Sequence, residues 1–268
     1  MGALPAVSTT MRPSPALVRS TVLELLILTA HLLLYPTGVR QERRPPPPVP
    51  PPAAGPGDRP PVLLLHGFID NRSVFVLLRR SLRRHGWPLV ECLNYSPLTR
   101  DLRTAAELFG RRVEELCART GSPRIDVIGH SLGGLVARYY IQRLGGDARI
   151  RTLVTLATPH GGTRVAPLMS AHPLVRQLRP ESEVIAELAG PAPGCGTRFI
   201  SFWSELDQVM VPAESARLDH PDLLSRNVRV SGVGHLALPV HWAVVASIRQ
   251  ALTTEEELGD SSAAVSVA

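Results

Sequence analysis

The 268-residue sequence has no lysine: all 29 of its basic side chains are arginine, set against 23 acidic ones. Aromatic residues are only 4% of the chain, so a core must be built from Leu, Val, Ile and Ala. Three cysteines, Cys92, Cys117 and Cys195, offer no CxxC pair and no metal-ligand spacing. That excludes a disulfide framework and a zinc site. One disulfide with a spare thiol and three reduced thiols both fit, so cysteine usage leaves the compartment open. The net charge of +6 raises the question of nucleic acid. The arginines are scattered (Arg79, Arg80, Arg83, Arg84, then Arg111 and Arg112), without interleaved aromatics or a nucleic-acid module. They read as a solvated surface with at most weak attraction to anionic headgroups, and no nucleic-acid partner is expected.

What the chain does have is apolar content, 44%, enough for one sizeable core with appendages. Residues 1–15 are rich in Pro, Ser and Thr and are expected to be disordered. Residues 16–36, "ALVRSTVLELLILTAHLLLYP", read as an apolar helix. Its apolar run from Ser20 to Tyr35 covers roughly 24 Å as a helix, short of the roughly 30 Å hydrocarbon core of a bilayer. Ser20, Glu24 and His31 fall on one stripe of that helix. A membrane anchor, a secretory signal and a helix packed on the domain are all open readings. No small-x-small cleavage site follows, which weakens the signal. The expectation is a membrane-associated or secreted, cell-envelope protein, with a cytoplasmic one still open. Residues 37–60 are a proline-rich linker, expected to act as a semi-rigid spacer holding the rest away from residues 16–36.

From residue 61 to 252, nearly continuous apolar runs alternate with helical spacing. The runs 61–67, 88–95, 124–130, 150–159, 197–207 and 227–235 read as strands, and "DLRTAAELFGRRVEELCAR", "LVARYYIQRLG" and "LPVHWAVVASIRQAL" as helices. The pattern predicts an α/β, doubly wound, mostly parallel sheet. The gap between Pro159 and Thr197 is too long for a loop, and its spacing predicts a helical cap inserted at about 160–196. Residues 253–268 are a polar tail, expected to be disordered.

Gly129-His130-Ser131-Leu132-Gly133 sits where a strand turns into a helix, the context that G-x-S-x-G requires. The two glycines leave room where strand and helix crowd around a strained serine. A serine hydroxyl needs a base, and His235, after the last long strand, is placed to supply it. His130 should point away from the serine; His66 and His160 sit at other strand ends and shape the site. Asp207, at the end of the penultimate strand, is the expected orienting acid, with Glu205, Asp219 and Asp222 as rivals. The order Ser131, Asp207, His235 is that of a Ser–acid–His triad. The backbone N–H groups of Leu132 and Phe68 are the candidate oxyanion donors.

"HGF", "GHSLGG", "TPHGG", "DQVMVP" and "GVGHLAL", spread over residues 60 to 252, resemble the successive signatures of compact bacterial lipases and esterases of the α/β-hydrolase fold. The resemblance implies an oxyanion hole at Phe68 and Leu132, and no cofactor. No acidic cluster marks a structural calcium, and no metal site is expected. The implied activity is hydrolysis of acyl esters or lipids through an acyl-enzyme. A thioesterase, amidase or acyltransferase would use the same groups, and a membrane-tethered binding protein could keep the fold without the chemistry. The sequence leaves the oligomeric state open.

Overall fold

The protein is described here by a computed structural model that covers residues 14–40, 59–95, 99–164, 172–253 and 265–267. Most of the expected disordered N-terminus and nearly all of the proline-rich linker lie outside those residues. In chain order the elements are α1 (Pro15–Gly38), β1 (Val62–Leu65), α2 (Val76–Arg84), β2 (Val90–Leu93), α3 (Leu102–Thr120), β3 (Ile125–His130) and α4 (Leu132–Arg143). Then come β4 (Ile150–Leu156), α5 (Pro173–Arg176), α6 (Glu183–Ala189), β5 (Arg198–Trp203), β6 (Leu224–Val230), α7 (Trp242–Thr253) and β7 (Val265–Val267).

The strands form one sheet in the order β2-β1-β3-β4-β5-β6-β7, and every pairing is parallel. All residues of β1 and β3 are buried, which is why they read as unbroken apolar runs. Their alternate side chains feed two cores. Leu63, Leu65 and Val127 meet Phe109 of α3 and Leu135 of α4, whereas Leu64 and Ile128 share the opposite core with Leu82 of α2 and Val244 and Ile248 of α7. The sheet is therefore covered on both faces, the doubly wound arrangement expected from the alternation. Its chain order reverses between β1 and β3, and at such a switch point the carboxyl ends of neighbouring strands open a crevice.

Four features differ from the sequence reading. Helix α2 was not anticipated, because four arginines hide the amphipathic pattern; Leu78 and Leu82 face inward while Arg80, Arg83 and Arg84 are exposed. The insertion is helical, with two short helices among its described residues. His172, ahead of α5, stacks its ring against Phe68 at 4.9 Å, while α6 buttresses α4 through Arg138 Nη2 donating to Leu188 O (2.9 Å) and Tyr139 Oη donating to Glu187 (2.6 Å). In the polar tail, Val265–Val267 adds β7 beside Val228–Val230.

The fourth difference concerns α1, which is not held away from the domain. Ser14 caps it and Pro36 lies within its last turn, so it runs 24 residues, about 36 Å. That makes it long and apolar enough to cross a membrane. Yet Ser20 and His31 are buried, and Leu23 and Ile27 pack against the α2–α7 core. Asn71 Nδ2 donates to Tyr35 O (3.0 Å) and Asn94 Nδ2 to Gly38 O (2.6 Å). A Cβ at residue 38 would collide with the Asn71 side chain, so glycine permits this close approach. Of the polar stripe, Glu24 finds hydrogen-bond partners on the domain and Ser20 and His31 are buried against it, and that docking overrides the spacer.

Helix α2 supplies a direct check on the core. Leu82 is fully buried, whereas Leu77 is 55% exposed. Leu82→Ala is expected to lower unfolding free energy by about 2–5 kcal/mol, and Leu77→Ala by about 0.5 kcal/mol or less, in urea denaturation.

Candidate active site

Strand β3 ends at His130, and Ser131 follows with φ 51° and ψ −121°, a conformation that non-glycine residues avoid. Neighbours hold it there. Ser131 N–H donates to Leu156 O (2.8 Å), and Ser131 O accepts from Thr158 Oγ1 (3.0 Å) and Gly134 N (3.1 Å). A Cβ on Gly129 would run into the backbone of Gly134, and one on Gly133 would lie 2.5 Å from Leu65 O. The small residues on either side are thus a steric requirement of the turn. The Ser131 side chain does not cap α4, which leaves its hydroxyl to the crevice. Leu132 opens α4, so its N–H has no intrahelical acceptor.

Asp207 and His235 come from the loops after β5 and β6, and both are buried. His235 Nδ1 lies 2.9 Å from Asp207 Oδ2, while Asp207 Oδ1 accepts from Val209 N (2.9 Å) and Met210 N (3.0 Å). The carboxylate is thereby fixed from both sides, and it dictates which imidazole nitrogen carries the proton. The rival acids are engaged elsewhere: Glu205 pairs with Arg229, Asp219 accepts from Asn227 (3.2 Å), and Asp222 accepts from Ala192 N (2.8 Å).

The strand-end histidines His130, His66 and His160 have structural partners. His130 lies against His235, ring centroids 4.9 Å apart, and burial pushes its pKa well below the usual value. His66 Nδ1 is bonded to Gly67 O (2.8 Å) and its ring stacks on Tyr95, whose hydroxyl donates to His66 O (2.6 Å). Tyr95 thus braces the loop that carries Phe68. His160 Nε2 is within 3.0 Å of Thr155 Oγ1, below the sheet edge. Among the described residues, no group of three or more His, Cys, Asp or Glu could hold a metal ion.

Two acidic residues near the site were not singled out for it from sequence. Asp70 Oδ2 is 3.7 Å from His130 Nδ1, and Gly67 fits between Asp70 and Ser131. Glu24 of α1 reaches the loop that follows His235, accepting from Leu236 N (2.8 Å). The only signal for either was position: Asp70 stands two residues beyond Phe68, and Glu24 lies on the polar stripe of α1. Both affect His235. Burial pulls the imidazole pKa down, but the charge and hydrogen bond of Asp207, followed by Glu24 and Asp70, outweigh it and leave His235 above the ordinary histidine value. Burial pushes Asp70 up to about 6, opposed by the nearby His235.

The Asp70 value carries a sign. A carboxyl with its folded-state pKa above the unfolded value of about 3.9 disfavours folding in its charged form. The penalty is absent below about pH 4, grows as pH rises toward 6, and is complete above that. Asp70→Asn is therefore expected to be neutral near pH 4 and to stabilise by up to about 3 kcal/mol at pH 8. Denaturant titrations at acidic and alkaline pH check this; a pH-independent difference would contradict it.

Comparison with known proteins agrees with the fold. A family model described as palmitoyl protein thioesterase matches residues 61–190. Triacylglycerol lipases of Pseudarthrobacter phenanthrenivorans and Burkholderia plantarii are each 29% identical over 116 residues, 40% of this chain. The match spans only about a third of those relatives, 35% and 32% of their lengths. Among solved structures, Aspergillus fumigatus lipase B aligns over 88% of this chain and 68% of its own, with a TM-score of 0.69 and 16% identity. A Bacillus licheniformis lipase in its propeptide form aligns over 80% and 54%, with a TM-score of 0.61 and 14% identity. The chain has an α/β-hydrolase fold, and it resembles lipase and esterase structures.

Proposed function

We propose that the protein is a serine carboxylic-ester hydrolase of the lipase/esterase kind. The observation that carries this reading is the buried Asp207–His235 pair, 2.9 Å apart and packed against His130, the residue before a serine held at φ 51° where a strand turns into a helix. In the proposed mechanism His235 Nε2 takes the Ser131 proton as Oγ attacks the acyl carbonyl. Asp207 holds Nδ1–H and stabilises the imidazolium. The oxyanion is received by the amides of Leu132 and Phe68. His235 then protonates the departing alcohol, and a water deprotonated by the same imidazole releases the acid from Ser131. His172 packs on Phe68, and this ring pair beside the proposed oxyanion donor suits an acyl chain. The two triacylglycerol lipase relatives support the same substrate class.

The thioesterase family match favours a second reading, in which the leaving group is a thiol. The mechanism is unchanged up to acyl transfer, so only substrate preference separates the two. Matched acyl oxoesters and acyl thioesters of short, medium and long chain should be compared. A higher kcat/KM on oxoesters is expected, and the reverse would favour the thioesterase. Ser131→Ala is expected to cut turnover of p-nitrophenyl esters by roughly 10⁴-fold or more, with loss of fluorophosphonate labelling. Unchanged turnover in that variant would sink the assignment of the nucleophile.

We also propose that α1 associates with a membrane surface through its outward face. Leu25, Leu26, Leu32 and Leu33 are exposed there. At its C-terminal end, Thr37 and Gly38 share a cleft of about 550 Å³ with Arg80 and Arg84 of α2. Apolar side chains flanked by arginine suit a helix lying in the interface of an anionic bilayer. The full-length protein is expected to co-sediment with phosphatidylglycerol vesicles more strongly than with phosphatidylcholine vesicles. Leu26→Ser with Leu33→Ser should reduce that binding by about 30-fold, since each burial is worth on the order of 1 kcal/mol or more. Equal binding by variant and wild type would refute the face.

A further inference from the structure

Helix α1 crosses the carboxyl edge of the sheet and touches three loops of the proposed site. Thr21 Oγ1 accepts from Gln208 Nε2 (3.0 Å), next in sequence to Asp207. Tyr35 O accepts from Asn71 Nδ2 (3.0 Å) and Thr37 O from Arg72 Nη2 (3.1 Å), both on the loop that carries Phe68. Between them, Glu24 meets the loop of His235. Its Oε2 accepts from Leu236 N (2.8 Å) and its Oε1 from Ala237 N (2.9 Å), the two amides that directly follow His235. On the other side of the histidine, Gly234 packs so closely on the same carboxylate that a Cβ there would come within 2.7 Å of Glu24 Cδ. The loop wraps around Glu24, with His235 at its crest.

A carboxylate on an otherwise apolar helix is costly to bury unless its oxygens are hydrogen-bonded. Both oxygens here are used on one short loop, and two charge-assisted bonds to consecutive amides fix that backbone more firmly than neutral contacts would. We infer that Glu24 is a positioning residue for His235: α1 sets the orientation of the imidazole from outside the catalytic domain, through the backbone of the loop that bears it. The inference rests on the proposed role of His235 as the base.

Glu24 has an electrostatic side as well. The titratable groups around His235 are Asp207 after β5, Asp70 after β1, His130 at the end of β3 and Glu24 on α1; His31 of α1 acts in turn on His130. The Glu24 charge raises the proton affinity of His235. Replacing it by an uncharged isostere lowers that affinity, so the acid limb of kcat/KM moves to lower pH.

The test uses the full chain with Glu24→Gln and Glu24→Ala. In Glu24→Ala, kcat on a soluble ester is expected to fall about 10- to 100-fold with KM within about twofold, the loss typical of a displaced catalytic group. Glu24→Gln, isosteric and able to keep one of the two bonds, should recover part of kcat while its acid limb sits at lower pH than in wild type. Two readouts do not depend on turnover. Hydrogen exchange at the Leu236 and Ala237 amides should accelerate in Glu24→Ala, and the imidazole NMR titration of His235 should shift to lower pH in Glu24→Gln. If Glu24→Ala does not fold, the Gln variant decides by its titration. Exchange and titration both unchanged from wild type would overturn the inference. Both changed, in a protein whose wild type hydrolyses no ester, would uphold the positioning and reject the proposed activity.

Discussion

Ser131 sits at a backbone angle that its own side chain disfavours, and much of the architecture around it can be read as what keeps it there. The turn is possible only if β3 delivers the chain at the middle of a rigid sheet and α4 takes it away at once. That demands glycine at 129 and 133, because Leu65 of the neighbouring strand and the first turn of α4 occupy the space a side chain would need. Strain is not confined to the serine. Ile69 and Ala157, beyond the ends of β1 and β4, also have positive φ, so all three such non-glycine residues among those described cluster at one edge of the sheet. Regular packing below that edge over-determines irregular backbone above it.

The absence of lysine also finds a use in this frame. Arg138 of α4 is buried without a carboxylate partner, and burial pulls its pKa down to about 9. Its guanidinium donates to His160 O (3.0 Å), Leu188 O (2.9 Å) and Gln142 Oε1 (2.6 Å). A planar fork can hold one backbone segment on each side, which a single ammonium point cannot do with the same geometry. Through it, the elbow helix is stitched to both ends of the inserted segment.

The elbow was legible in the sequence because its demands are local: five consecutive residues, two of them glycine, between a buried strand and a helix. Asp207 and His235 could be picked because the alternation places each after a strand, and loops after parallel strands share one edge. Helix α2 was missed because Arg79, Arg80, Arg83 and Arg84 swamp the signal from Leu78 and Leu82. Glu24 and Asp70 could not be assigned for another reason. Their surroundings are built by segments remote in the chain, and Glu24 itself was visible only as an odd residue on an apolar stripe. The docking of α1 was one of three open readings, and the proline run between helix and domain argued against it.

The span between Glu24 and its partners has a consequence for biosynthesis. The amides it holds lie 212 and 213 residues further along the chain. When α1 leaves the ribosome, the loop that satisfies its carboxylate is not yet made, nor is the sheet beneath it. The helix must therefore wait, its polar stripe turned to water or to a lipid interface, until the loop after β6 has been synthesised. A helix made before the sheet becomes one of the last elements to seat.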